Sequence, residues 1–156
     1  MSPAVERKYV LDTNLFIHGF RDPTANAALQ RFHYLFAPFE YLSTVVMQEL
    51  RAGVRSAADR RALDRHVLER FTRRGRVVTP SAQAWADSGD NLAALVRREG
   101  LELARVSKAF GNDILLALSC REAGLVLVTD NRRDFERIAR LVRFDFVDPW
   151  PAPASR

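Results

Sequence analysis

The sequence is poor in cysteine, in lysine and in long apolar runs, and each shortage removes a class of protein. Cys120 is the only cysteine among 156 residues, which excludes an intrachain disulfide and any zinc site built from several thiolates. It falls inside a helical apolar pattern, where a small buried thiol is the ordinary reading. No apolar stretch approaches the roughly 20 residues that a membrane-spanning helix needs. The N-terminal Met-Ser-Pro-Ala-Val-Glu-Arg-Lys has no apolar core of a signal peptide. A soluble, cytoplasmic protein with no membrane partner is expected. His18, His33 and His66, the three histidines, show no ligand spacing; they read as ordinary helix residues and disfavour zinc.

What is present suits one compact domain. At 47% hydrophobic the chain can bury a single core, and it shows no repeats and no second domain. Residues 1–150 read as one domain and 151–156 as an irregular tail, with Pro149, Pro151 and Pro153 around the junction. Lys8 and Lys108 are the only lysines among 24 basic residues, so arginine supplies nearly all the positive charge. The net charge of +5 suits a polyanionic partner such as RNA without establishing one.

Short apolar strands alternate with helical patterns. Residues 9–11 and 125–129 are continuously apolar, as expected of strands in the middle of a parallel sheet. Residues 40–43, 76–79 and 144–147 are further strand candidates. Helices are expected over residues 14–20, 26–36, 44–54, 58–74, 81–98, 101–110, 112–122 and 133–141. Asp22-Pro23-Thr24 separates the first two, Ser43 or Thr44 caps the third, and Gly100 and Gly124 act as stops. The helix over 58–74 buries Leu63, Val67 and Phe71. It exposes Arg60, Arg61, Arg65, Arg70, Arg73 and Arg74, diluted by Asp59, Asp64 and Glu69; a solvated face and a phosphate-tracking face both fit. Strand–helix alternation predicts an α/β fold, a three-layer α/β/α sandwich on a mainly parallel sheet. A ligand site is then expected beyond the carboxyl ends of the strands.

The acidic residues fall where that rule places a site. Asp12 ends the first strand and Asp130 follows the strongest one. Each taken alone also fits a turn or a helix cap. Glu49 shares a helix face with Val46 and Gly53 and adjoins Leu50, so it belongs to a buried stripe. A charge there needs a cation or a partner arginine such as Arg51 or Arg121. Asp113 shares a face with Leu116, Ala117 and Cys120, in what reads as the first turn of its helix. Interaction with the helix N-terminus and metal ligation both fit it. Several carboxylates in one pocket repel unless protonated or joined by a cation, and an oxygen-only set suits Mg2+ or Mn2+.

Val-Leu-Asp-Thr-Asn (10–14), Gln-Glu-Leu (48–50), Gly-Asn-Asp-Ile-Leu-Leu-Ala (111–117) and Leu-Val-Thr-Asp-Asn-Arg-Arg-Asp-Phe (127–135) resemble the successive motifs of PIN domains. Phe-Val-Asp-Pro-Trp (146–150) is similar to the last strand of VapC-type toxins in that family. The resemblance implies a parallel sheet sandwiched by helices and an endoribonuclease activity needing Mg2+ or Mn2+. It implies hydrolysis leaving a 5′-phosphate and a 3′-hydroxyl, and a small cognate antitoxin; a homodimer is expected from apolar helix surface beside the site. Carried over by position, Asp12, Glu49 and Asp113 match the core acids, and Asn14 matches the residue supporting the first. The fourth acid is open between Asp130, favoured as a ligand, and Asp134, with Thr129 and Asn131 beside them. Phe32, Leu35 and Phe36 are candidates for a partner or dimer face. Rivals are a PIN-domain nuclease that processes RNA without being a toxin, and a PIN-like domain that binds without cutting. The intact set of acids argues against the last. A phosphatase of the haloacid dehalogenase type needs an aspartate where Asn14 stands.

Overall fold

A computed structural model describes residues 6–154; the N-terminal Met-Ser-Pro-Ala-Val and the final two residues of the tail lie outside the described residues. Five strands form one sheet: β1 Tyr9–Leu11, β2 Glu40–Ser43, β3 Val77–Val78, β4 Val126–Val128 and β5 Phe146–Val147. Their order is β3-β2-β1-β4-β5, and every neighbouring pair is parallel. β1 and β4, the two continuously apolar strands, are buried along their whole length, so helices cover both faces. The expected α/β/α architecture is what the chain adopts.

The switch point of this sheet lies between β1 and β4, because chain connections leave those two strands in opposite directions. Leu11 pairs with Val128 across it. The crevice beyond their carboxyl ends is therefore the place for a site.

Helices follow the strands directly. Asp12 caps α1 (Thr13–Arg21). Asp22 caps α2 (Pro23–Phe36), with Pro23 in its first turn. The Asp-Pro-Thr segment thus ends one helix and opens the next, since Asp accepts orphan amides and Pro fits the first turn. α1 and α2 lie close because Gly19 has no side chain; a Cβ there would fall 2.8 Å from Leu29 Cδ2. Ser43 caps α3 (Thr44–Ala52).

The helix expected over 58–74 is interrupted. α4 (Ala57–Leu63) runs into a π turn, Asp64–Leu68, and then α5 (Glu69–Thr72). The wider turn advances the register by one residue, so Leu63, Leu68 and Phe71 enter the core, while Val67 is only half-buried. Arg73 pairs with Glu69 at 2.9 Å.

Ser81 caps α6 (Ala82–Glu99), and Gly100 ends it at φ 62°, a left-handed conformation that favours glycine. The helix expected over 101–110 does not form. A short 3-10 turn, Leu103–Arg105, leads to Ser107, which caps α7 (Lys108–Ala123). One long helix thus replaces the two expected around Gly111, and burial of Phe110 and Ile114 beside that glycine offsets its poor helix propensity. α8 (Arg132–Ala139) completes the set.

Phe32 and Phe36 belong to the core, edge-on to Tyr9 at 6.0 and 5.2 Å. They are not a partner face; of that trio only Leu35 is exposed. Among the described residues no helix is long and apolar enough to cross a membrane.

Candidate active site

Asp12 is 4% exposed, yet both its oxygens are engaged. Thr13 N–H donates to Oδ1 at 2.8 Å and the Thr129 hydroxyl to Oδ2 at 2.8 Å. Thr129 in turn accepts from Asn131 N–H at 3.0 Å. This relay ties the ends of β1 and β4 together across the switch point and fixes the direction in which the remaining lone pairs of Asp12 face. Asn14 is exposed, and the bonds that hold Asp12 come from Thr13 and Thr129.

Glu49 on α3 is half-buried and accepts from Asn112 Nδ2 at 3.1 Å. The arginines expected to satisfy it do other things: Arg51 pairs with Asp64 at 3.2 Å, and Arg121 is exposed. Asn112 was not legible as a functional residue, although its position beside Asp113 was a signal. Because α7 starts at Lys108, Asp113 lies in its second turn, away from the exposed amides of the helix start. The dipole explanation for its inward position therefore falls away.

The other acids divide between these two. Asp130 is paired with His18 Nδ1 at 3.2 Å, so His18 is more than the ordinary helix residue its spacing indicated. Asp134 is bonded to Asn131 Nδ2 at 3.1 Å.

The charges of these residues act on one another. Burial pushes the Asp12 carboxyl up to about 6, with the charges of Glu49 and Asp130 adding to it against the pull of its hydrogen bonds. Burial likewise pushes Asp113 up to about 8, reinforced by Asp12, Glu49 and Asp134. Asp134 thus bears on Asp113, and Asp130 on Asp12. Cys120 is fully buried, its thiol pushed up to about 12 by burial, as an inert core residue requires.

Two carboxyls raised by burial and by neighbouring carboxylates are what a bound cation would relieve. The donor set is oxygen-only, which suits a hard ion. Among the described residues no three acidic, histidine or cysteine side chains form a ready-made cage.

With this geometry in hand, the chain can be set beside known proteins. The PIN-domain pattern matches residues 9–141, and the chain belongs to the PIN-domain family. The tRNA(fMet)-specific endonuclease VapC of Shigella flexneri is 30% identical over 135 residues, which is 86% of this chain and 94% of that protein. The crystal structure of DNA-bound VapBC from Salmonella typhimurium superposes with a TM-score of 0.67 at 26% identity, covering 91% of this chain and 98% of that one. FitAcB from Neisseria gonorrhoeae shares the fold at a TM-score of 0.64 and 19% identity, covering 92% and 99%.

Proposed function

We propose that this chain is a metal-dependent endoribonuclease acting as the toxin of a toxin–antitoxin pair in the cytoplasm. The observation that carries the reading is the pair Asp12 and Asp113, set at the sheet's switch point with carboxyls held far above their ordinary value. Carboxyls raised in this way favour a nearby cation, which supports the reading.

Asp12 and Asp113 would hold the ion, with Asp130 and Asp134 placed to take part from the sides of Asp12 and Asp113 respectively. Mg2+ or Mn2+ would supply polarisation of the scissile phosphate and activation of water at neutral pH. The chain's own residues do the rest. Thr13 and Thr129 fix the rotamer of Asp12. Asn112 holds one oxygen of Glu49, leaving the other to orient the attacking water or accept its proton. Free arginines on the outer helices offset repulsion between RNA and the acids, giving salt-sensitive binding.

The VapC relative is named for cutting tRNA(fMet), which supports RNA, and structured tRNA in particular, as the substrate class. The VapBC complex supports a small antitoxin partner. A homodimer has a candidate surface at Trp85, Leu101 and Leu103, large apolar residues exposed on and just after α6.

The test is incubation of the purified chain with tRNA in Mg2+ or Mn2+, and in chelator. Cleavage to fragments with 5′-phosphates, lost in chelator, is expected; equal cleavage in chelator would overturn the metal reading. Expression alone should arrest growth, and the cognate antitoxin should restore it. Harmless expression of an active nuclease would favour an RNA-processing role instead.

A further inference from the structure

A cleft of ≈ 470 Å³ has Glu49, alone of the site's acids, in its lining. Its apolar lining includes Ile17 of α1, Leu50 of α3 and Val54 just beyond α3. Phe20 stands on its wall, 53% exposed, where burial in this fold gains it little. Arg21 and Arg55 also line it, and among the described residues neither appears in an ion pair, although Asp59 lines the same cleft.

Exposed aromatic surface flanked by uncommitted guanidinium groups is the chemistry that receives single-stranded nucleic acid: the ring stacks on a base and the cations meet the phosphates. Glu49 both lines the cleft and bears by its charge on Asp12 and Asp113, so a strand whose scissile phosphate sits at those acids has the cleft as its neighbour. We propose that this cleft receives the nucleobase next to the cleavage point, stacked on Phe20, with Arg21 and Arg55 on the neighbouring phosphates. The proposal rests on the ribonuclease reading above for its orientation, and its test is independent of cleavage.

A fluorescein-labelled single-stranded oligoribonucleotide is titrated with the wild type, Phe20→Leu, Phe20→Trp and Arg55→Gln in chelator, where binding is read by anisotropy without turnover. Phe20→Leu keeps the apolar volume and removes the aromatic face. Its Kd should rise about tenfold, the size of one lost base–aromatic stack, and Phe20→Trp should hold or tighten it. Arg55→Gln should reduce the slope of log Kd against log salt by about one. In the matching cleavage assay KM should rise with Phe20→Leu while kcat stays within about twofold. RNA affinity unchanged by Phe20→Leu overturns the proposal whether or not the chain cleaves RNA. The same result with loss of antitoxin binding would assign the cleft to a protein partner. Wild-type binding that depends on Phe20 without any cleavage would support the cleft and remove the nuclease reading.

Discussion

The Thr129 hydroxyl donates to the buried carboxylate of Asp12 across 2.8 Å, joining residues 117 positions apart in the chain. That bond holds down an acid which burial otherwise drives upward. Thr129→Val keeps the shape and removes the donor. The fold should lose about 1–2 kcal/mol, measurable by urea unfolding. Asp12 should move above its value of about 6, carrying the acidic limb of the kcat/KM profile to higher pH. An unmoved limb would show that this bond does not govern the ionisation that matters.

Stability without metal should fall as pH rises. Asp12 and Asp113 both sit above the ordinary 3.8, near 6 and near 8, so between pH 4 and 8 the folded state binds more protons than the unfolded one. Their contribution is fully present below the ordinary value and is lost as pH climbs through 6 and 8. The difference in Tm between wild type and Asp113→Asn in chelator isolates the second group. Wild type should fall progressively below the variant as pH rises from 6 to 8. Divalent cation reverses this: at a hundredfold excess over Kd, binding only the folded state adds about 2.7 kcal/mol. A wild-type Tm indifferent to millimolar Mg2+ and Mn2+ would speak against an ion at these acids.

At the other end of β2 lies a separate buried pair. His33 Nδ1 and Glu40 Oε2 are 2.7 Å apart, and Glu40 is 2% exposed with its other oxygen unpartnered. Glu40→Leu strands the imidazole in the core, so unfolding free energy should drop by about 3 kcal/mol or more. The folded fraction should still cleave RNA at a normal kcat, because Glu40 opens its strand at the end away from the acids. A fall in kcat at full folding would tie this pair to the site.

Much of the site was legible because β1 and β4 are uninterrupted apolar runs ending in polar residues. Such runs identify central strands, and central strands place Asp12 and Thr129 together. Glu49 and Asp113 stood out as acids on otherwise apolar helix faces. What stayed hidden depends on register and on partners distant in sequence. Nothing local marks the π turn at Asp64–Leu68, which puts Leu68 rather than Val67 into the core. The Asn112–Glu49 and His18–Asp130 contacts join helices to distant segments, and spacing along the chain carries no signal of either. The absent helix over 101–110 had apolar periodicity but no cap at its start, whereas Ser107 caps the helix that formed.

The central claim is that Asp12 and Asp113 hold the ion that drives cleavage. The most direct measurement is the single-turnover rate of tRNA cleavage in Mg2+ for wild type, Asp12→Asn and Asp113→Asn, with circular dichroism confirming the fold. The amide keeps the volume and removes the charge, so both variants should be folded and slower by about a thousandfold or more, a loss of roughly 4 kcal/mol of transition-state stabilisation. Cleavage by folded Asp113→Asn at near the wild-type rate would contradict it.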